Sequence, residues 1–180
     1  MTEHSIPIKV GPVNHLTLDL LREILHYDPE TGVFTWKVRR GNRAIPGAQA
    51  GSKSTNKPKQ RLSIRINGKS YFNHRLAWLY MTGEWPALEI DHIDTDSLNN
   101  RWNNLRLATT SQNQANRGPQ KNNKSGFKGV YWHPSHAAWR AAVRFKGRKI
   151  ILGEFRTPED AHAAYCTKVA ELYGEFARTS

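Results

Sequence analysis

The chain of 180 residues holds a single cysteine, Cys166. That excludes an intrachain disulfide and every zinc site built on CxxC pairs, so a bound metal must rest on oxygen or imidazole ligands. No run of 18 apolar residues occurs, which removes a membrane-spanning helix from consideration. The opening stretch MTEHSIPIKVGPVNHL lacks the basic-then-apolar order of a secretion signal, and a cytoplasmic protein is expected. Acidic residues are scarce as well: 15 Asp and Glu stand against 27 Lys and Arg, a formal charge of +12. Such an excess points to a polyanionic partner. An acidic lipid surface is the rival, but no basic amphipathic helix is there to meet it. Hydrophobic residues make up 38%, enough for one ordinary domain or two small ones.

The charge is not spread evenly. Residues 31–85 carry +10 and residues 117–156 carry +9, whereas 1–30, 86–116 and 157–180 carry −3, −2 and −2. Two basic surfaces around one carboxylate-containing stretch are implied, with double-stranded DNA as the partner.

Local signals divide the chain. Residues 17–26 carry Leu18, Leu21, Ile24 and Leu25 at helical spacing behind a capping Thr17. Asp28-Pro29-Glu30-Thr31-Gly32 reads as a turn into a strand over 33–38, and residues 39–60 as a mobile basic loop. Asn67-Gly68 between two alternating runs predicts a β-hairpin, followed by a helix over 73–82 that stops at Gly83. The polar stretch RGPQKNNKS (117–125) reads as a linker between residues 1–116 and 126–180.

In the last third, Trp139, Ala141, Val143 and Phe145 alternate with Arg140, Ala142, Arg144 and Lys146. A turn at Lys146-Gly147-Arg148 returns the chain, and a final helix starts at Thr157-Pro158 and ends before Gly174. Its apolar stripe covers one sheet face. The other stays open, with Tyr131, His133, Arg140, Arg144 and Lys149 in one phase.

The chemistry-bearing stretch is EIDHIDTDSLNNRWNNLRLATTSQNQAN (89–116). Adjacent Asp91 and His92 face opposite ways on a regular strand, so they can share a site only if the strand ends there. Asn99, Asn100 and Asn103 read first as loop hydrogen-bonders and His74 as a half-buried core histidine; Asp94 and Asp96 read as solvated. With HRLAW (74–78), IDHID (90–94), NNRWNNL (99–105) and TSQNQAN (110–116), the chain resembles the HNH homing endonucleases, including phage-borne members. That resemblance implies a ββα-metal nuclease domain in residues 1–116. His92 becomes the general base, Asn104 the central asparagine that orients it and holds the metal loop, and Asp91 and Asn113 the metal ligands. Mg2+ is the implied ion, with Mn2+ as a substitute and no zinc. Many relatives have glycine where Thr95 stands, so the turn after His92 is expected to depart from theirs.

Residues 126–180, with GFKGVYW, WRAAVR, ILGEF and EDAHAAY, resemble the plant ethylene-response-factor (APETALA-type) DNA-binding domain. Lys128, Tyr131, His133, Arg144 and Lys149 fall where those domains contact DNA, and Ile151 falls where they often have tryptophan. The expectation is an α+β protein in which a nuclease domain precedes a three-stranded antiparallel sheet packed on one helix. It would act as a site-specific endonuclease, a monomer or weak dimer that nicks DNA, in the host cytoplasm if phage-encoded. The alternative is an inactive DNA-binding regulator.

Overall fold

The computed structural model describes residues 16–54, 60–120 and 122–179. Residues 1–15, residues 55–59 of the stretch expected as a mobile basic loop, Lys121 of the stretch expected as a linker, and Ser180 lie outside the described residues.

Thr17 caps α1 (Leu18–Ile24), its hydroxyl accepting from the Leu20 amide at 3.3 Å. The helix stops two residues before the predicted end because Leu25 enters a ladder instead. β1 (Leu25–Asp28) pairs antiparallel with β2 (Val33–Trp36), Leu25 opposite Trp36, and β2 in turn ends short of Val38. Between them the Asp28 carboxylate accepts from the Glu30 amide and the Thr31 hydroxyl, which closes the turn. Gly32 completes it at φ +72°; a Cβ there would lie 2.4 Å from the peptide joining Asn100 and Arg101. Only glycine lets this turn sit so close to that loop.

The stretch 39–60, expected as loop, supplies two short strands. β3 (Gln49–Ala50) pairs with β2, and β4 (Ser52–Lys53) pairs with β5 (Leu62–Ile66). Ladders of two residues are too short to leave an alternation in the sequence. The Asn67-Gly68 turn, with φ of 48° and 81°, joins β5 to β6 (Lys69–Phe72) as a type I′ hairpin requires. α2 (Asn73–Thr82) follows and ends on a left-handed Gly83. Its Leu76, Ala77 and Leu79 meet Leu21, Ile24, Tyr27 and Phe34 in the first core.

β7 (Glu89–His92) and β8 (Leu105–Ala108) form an antiparallel ribbon, and α3 (Thr110–Ala115) follows. Thr109 starts α3 with a reciprocal cap: its hydroxyl accepts from the Gln112 amide while the Gln112 side chain accepts from the Thr109 amide.

The C-terminal part has β9 (Val130–His133), β10 (Ala138–Phe145) and β11 (Arg148–Phe155), with β10 central, and α4 (Pro158–Tyr173) across one face. Ala141 and Val143 pack on Ala161, Tyr165 and Val169 in a second core, which also takes in Ala108 and Ala115 from the preceding part. Gly129 allows the close packing, since a Cβ there would fall 2.2 Å from the Tyr165 ring. Among the described residues no helix is long and apolar enough to cross a membrane.

Candidate active site and sheet face

β7 ends at His92, and the Thr95 amide donates back to the His92 carbonyl at 2.9 Å. Thr95 keeps the left-handed conformation that glycine would adopt, at φ +68°, and its hydroxyl accepts from Arg178 at 2.7 Å. The strand end therefore lets Asp91 and His92 line one cleft of about 40 Å³ with His74, Arg61, Asn113 and Asn116.

Asp91 is 4% exposed and fully partnered. Arg106, its cross-strand neighbour, places Nε and Nη2 each 3.0 Å from Oδ2. Asn116 Nδ2 lies 3.1 and 3.0 Å from the two carboxylate oxygens and donates also to the His92 carbonyl at 2.8 Å. The other end of Arg106 is held by the C-terminal segment: Nη1 donates to the Glu175 carbonyl, and the guanidinium lies 3.8 Å from the Phe176 ring centre.

His92 Nε2 meets Asn100 Oδ1 at 3.2 Å. The Asn100 amide cannot be turned round without losing its Nδ2 bond to the Leu98 carbonyl. Nε2 is thus the protonated nitrogen, and Nδ1 keeps the lone pair. Asn100 is itself fixed by the Tyr27 hydroxyl, which donates to its carbonyl at 2.6 Å, and by the Gly32 turn. Burial pushes the His92 pKa down against the pull of Asn100, Asp94 and Asp91, so the ring is neutral at neutral pH. The ring of His74 stands edge-on at 5.2 Å, and burial drives its pKa down to about 3.

Asn104 bonds the loop and not the imidazole. Its Oδ1 accepts from the Asp94 amide at 3.0 Å, and its Nδ2 donates to the Asp94 carboxylate and the Asn99 carbonyl. Burial alone would raise the Asp94 carboxyl; bonds from Asn99, Asn104 and the Asp96 amide outweigh it and hold the group below its ordinary range. Asn113, on α3, donates Nδ2 to Glu89 at 2.7 Å, which leaves its carbonyl oxygen as the end available to a ligand.

Among the described residues no group of three or more His, Cys, Asp or Glu is arranged to hold a metal. The cleft nonetheless carries one carboxylate and one amide oxygen, donors of the kind that a hard cation takes. Asn100, Asn116 and Arg106 are the site residues that sequence reasoning missed. Asn116 carried a signal, since it caps α3 three residues after Asn113 and hence lies on the same side.

The open face of the C-terminal sheet gathers Tyr131, His133, Arg140, Arg144 and Lys149 by register: Arg140 lies opposite Tyr131 and Glu154, and Arg144 opposite Lys149. Lys128 is not on it. Its ammonium donates to the carbonyls of Ala115 and Arg178, and burial lowers its pKa to about 8.

Residues 71–115 match the HNH endonuclease family. The chain is 36% identical over 106 residues to Protein 3.8 of Escherichia phage T7, covering 58% of this chain and 87% of that protein. It is 34% identical over 111 residues to an uncharacterized HNH endonuclease of Acanthamoeba polyphaga mimivirus, covering 61% of this chain and 57% of that one. No solved structure matches. With the motif stretch forming the cleft and phage and viral relatives alongside it, the chain belongs to the HNH endonucleases.

Proposed function

We propose that the protein is a site-specific DNA endonuclease of the homing type that hydrolyses one phosphodiester bond per site, with His92 as general base and Asp91 and Asn113 as ligands of one divalent cation, Mg2+ or in its place Mn2+. The observation that carries this reading is His92 with one ring nitrogen tied to Asn100 and the other without a hydrogen bond among the described residues, beside Asp91 in the same cleft.

Hydrolysis needs a deprotonated water, relief of charge on phosphorus and help for the departing 3′ oxygen. His92 Nδ1 takes the water proton, and Asn100 stabilises the imidazolium that results by accepting from Nε2. Asn104 acts one step back by closing the loop on Asp94. Arg61 and Arg117, on the cleft wall, face the DNA backbone as cations. A divalent cation, when bound, supplies Lewis-acid stabilisation at the phosphate. The C-terminal part, similar to ethylene-response-factor domains, grips the duplex through its open sheet face, since the major groove admits β structure as well as helices. With one site per chain, a monomer nicks, and a double-strand break needs two chains or two events.

A supercoiled plasmid carrying the target tests this. The nicked form should appear with Mg2+ or Mn2+ and not with EDTA; no metal-dependent nicking would overturn the reading. The ion pair that already engages Asp91 is the observation that suits the second reading, a DNA-binding regulator without cleavage, and the same assay decides between them.

A further inference from the structure

The open face of the C-terminal sheet is not uniformly polar. In mid-strand Ile151 lies opposite Ala142, and Ile151 is 47% exposed. The charged pairs Arg140–Glu154 and Arg144–Lys149 stand on either side of it in the same ladder. A register shift between Ala141 and Ala142 produces this order: β11 has one residue more than β10 there, which brings Glu154 onto the same face as Ile151 and Lys149. Ile150, next in sequence, packs into the second core, whereas Ile151 points outward and, among the described residues, belongs to neither core.

The cations around it differ in freedom. Arg140 is clamped by Glu154 at 2.8 and 2.5 Å. Lys149 donates to the Tyr131 hydroxyl at 3.0 Å and lies over its ring. Arg144 is exposed, and its guanidinium has no hydrogen bond or ion pair among the described residues. Among the described residues the face thus offers one free guanidinium and, one cross-strand pair away, one exposed aliphatic side chain. In the major groove of a duplex the base edges offer guanine O6 and N7 to a guanidinium, and their one apolar feature is the C5-methyl group of a pyrimidine.

We infer that Ile151, backed by Ala142, is a specificity-determining residue that reads the C5-methyl group of a pyrimidine in the major groove. This rests on the sheet face being the duplex-binding surface. The methyl group is carried by thymine and by 5-methylcytosine alike, and the Ile151 contact recognises the group and not the base.

The test uses the full chain in EDTA, so that no DNA is cut. A binding site is first selected from a random duplex library made with thymine. Each thymine of that site is then replaced by uracil, cytosine or 5-methylcytosine, with the matching base opposite. At one position uracil should weaken binding about fourfold, the effect of one buried methyl group. At the same position 5-methylcytosine should bind more tightly than cytosine by a similar factor. Ile151→Ala should bind the thymine and uracil duplexes equally, and Ile151→Val should retain part of the difference. Equal binding of thymine and uracil by the native chain at every position, or discrimination that survives Ile151→Ala, overturns the inference. The variant Arg144→Ala with Lys149→Ala separates the two levels. Unchanged duplex affinity in that variant removes the sheet face as the binding surface and the Ile151 contact with it; lost affinity without any methyl effect removes the Ile151 contact alone.

Discussion

The nuclease cleft and the open sheet face each hold an arginine–carboxylate pair across a ladder, and the two pairs live in opposite surroundings. Arg106 and Asp91 are 12% and 4% exposed in their side chains, and every oxygen of Asp91 has a further donor. Arg140 and Glu154 are 21% and 37% exposed and share His136 at the rim. A buried charge must be partnered, so its geometry is over-determined, and that is what a group acting at a single bond requires. An exposed pair is screened by water and contributes little to stability, leaving its members able to change partners when a polyanion arrives. Under the function proposed above, the same residue types therefore position in one place and bind in the other.

The largest effect that would break this contrast is on cleavage. His92→Ala or Asp91→Ala should lower the nicking rate by roughly two to four orders of magnitude while duplex affinity in EDTA stays near that of the native chain. An equal loss of binding would mean that these residues support the fold and not the reaction. Arg106→Ala should cost about 3–5 kcal/mol in urea unfolding, the range for stranding a buried charge, whereas Arg140→Ala should leave the midpoint almost unmoved. Similar shifts for the two would erase the distinction. Asn100→Ala should reduce kcat by about 10- to 100-fold, as the loss of a residue that orients a reacting one does, with little change in KM and a pH profile shifted by the freed imidazole.

Smaller effects sharpen the same point. His74 has a folded pKa of about 3, below its unfolded value of 6.5, so the unfolded chain binds more protons between those values. Stability should fall as pH drops from 6.5 toward 3, by roughly 1.4 kcal/mol per pH unit from this group, and His92 adds to the fall in the same direction. Unfolding curves at successive pH values, with His74→Gln as the comparison, read the slope directly. On the sheet face, Arg144→Ala should reduce the slope of log affinity against log salt by about one, the signature of one lost phosphate or base-edge cation.

Much of the fold follows rules that act over a few residues. The Asn67-Gly68 hairpin, the caps at Thr17 and Thr157 and the stop at Gly83 all appear where their local chemistry predicts. Helix α1 and strands β3 and β4 depart from expectation because pairing with a distant strand overrode a weak local preference. In the site, Asp91, His92 and Asn113 are named by the resemblance to the HNH endonucleases, and all three line one cleft. The roles within the asparagine run were not legible: Asn99, Asn100, Asn103 and Asn104 have the same side chain, and only their neighbours in space tell them apart.

Residue order alone thus settles where the charge lies, which turns close, which strand carries Asp91 and His92, and that no CxxC zinc site can form. It does not settle which hydrogen bonds form between residues far apart in the chain. Asn100 orients His92 because Tyr27, 73 positions earlier, donates to its carbonyl. Asn116 reaches Asp91 across 25 positions, and Lys128 is drawn from the sheet face into the carbonyls of Ala115 and Arg178. Each of these contacts depends on burial to exclude water as the competing partner. Burial is a property of the packed chain, so no local pattern of residues encodes it.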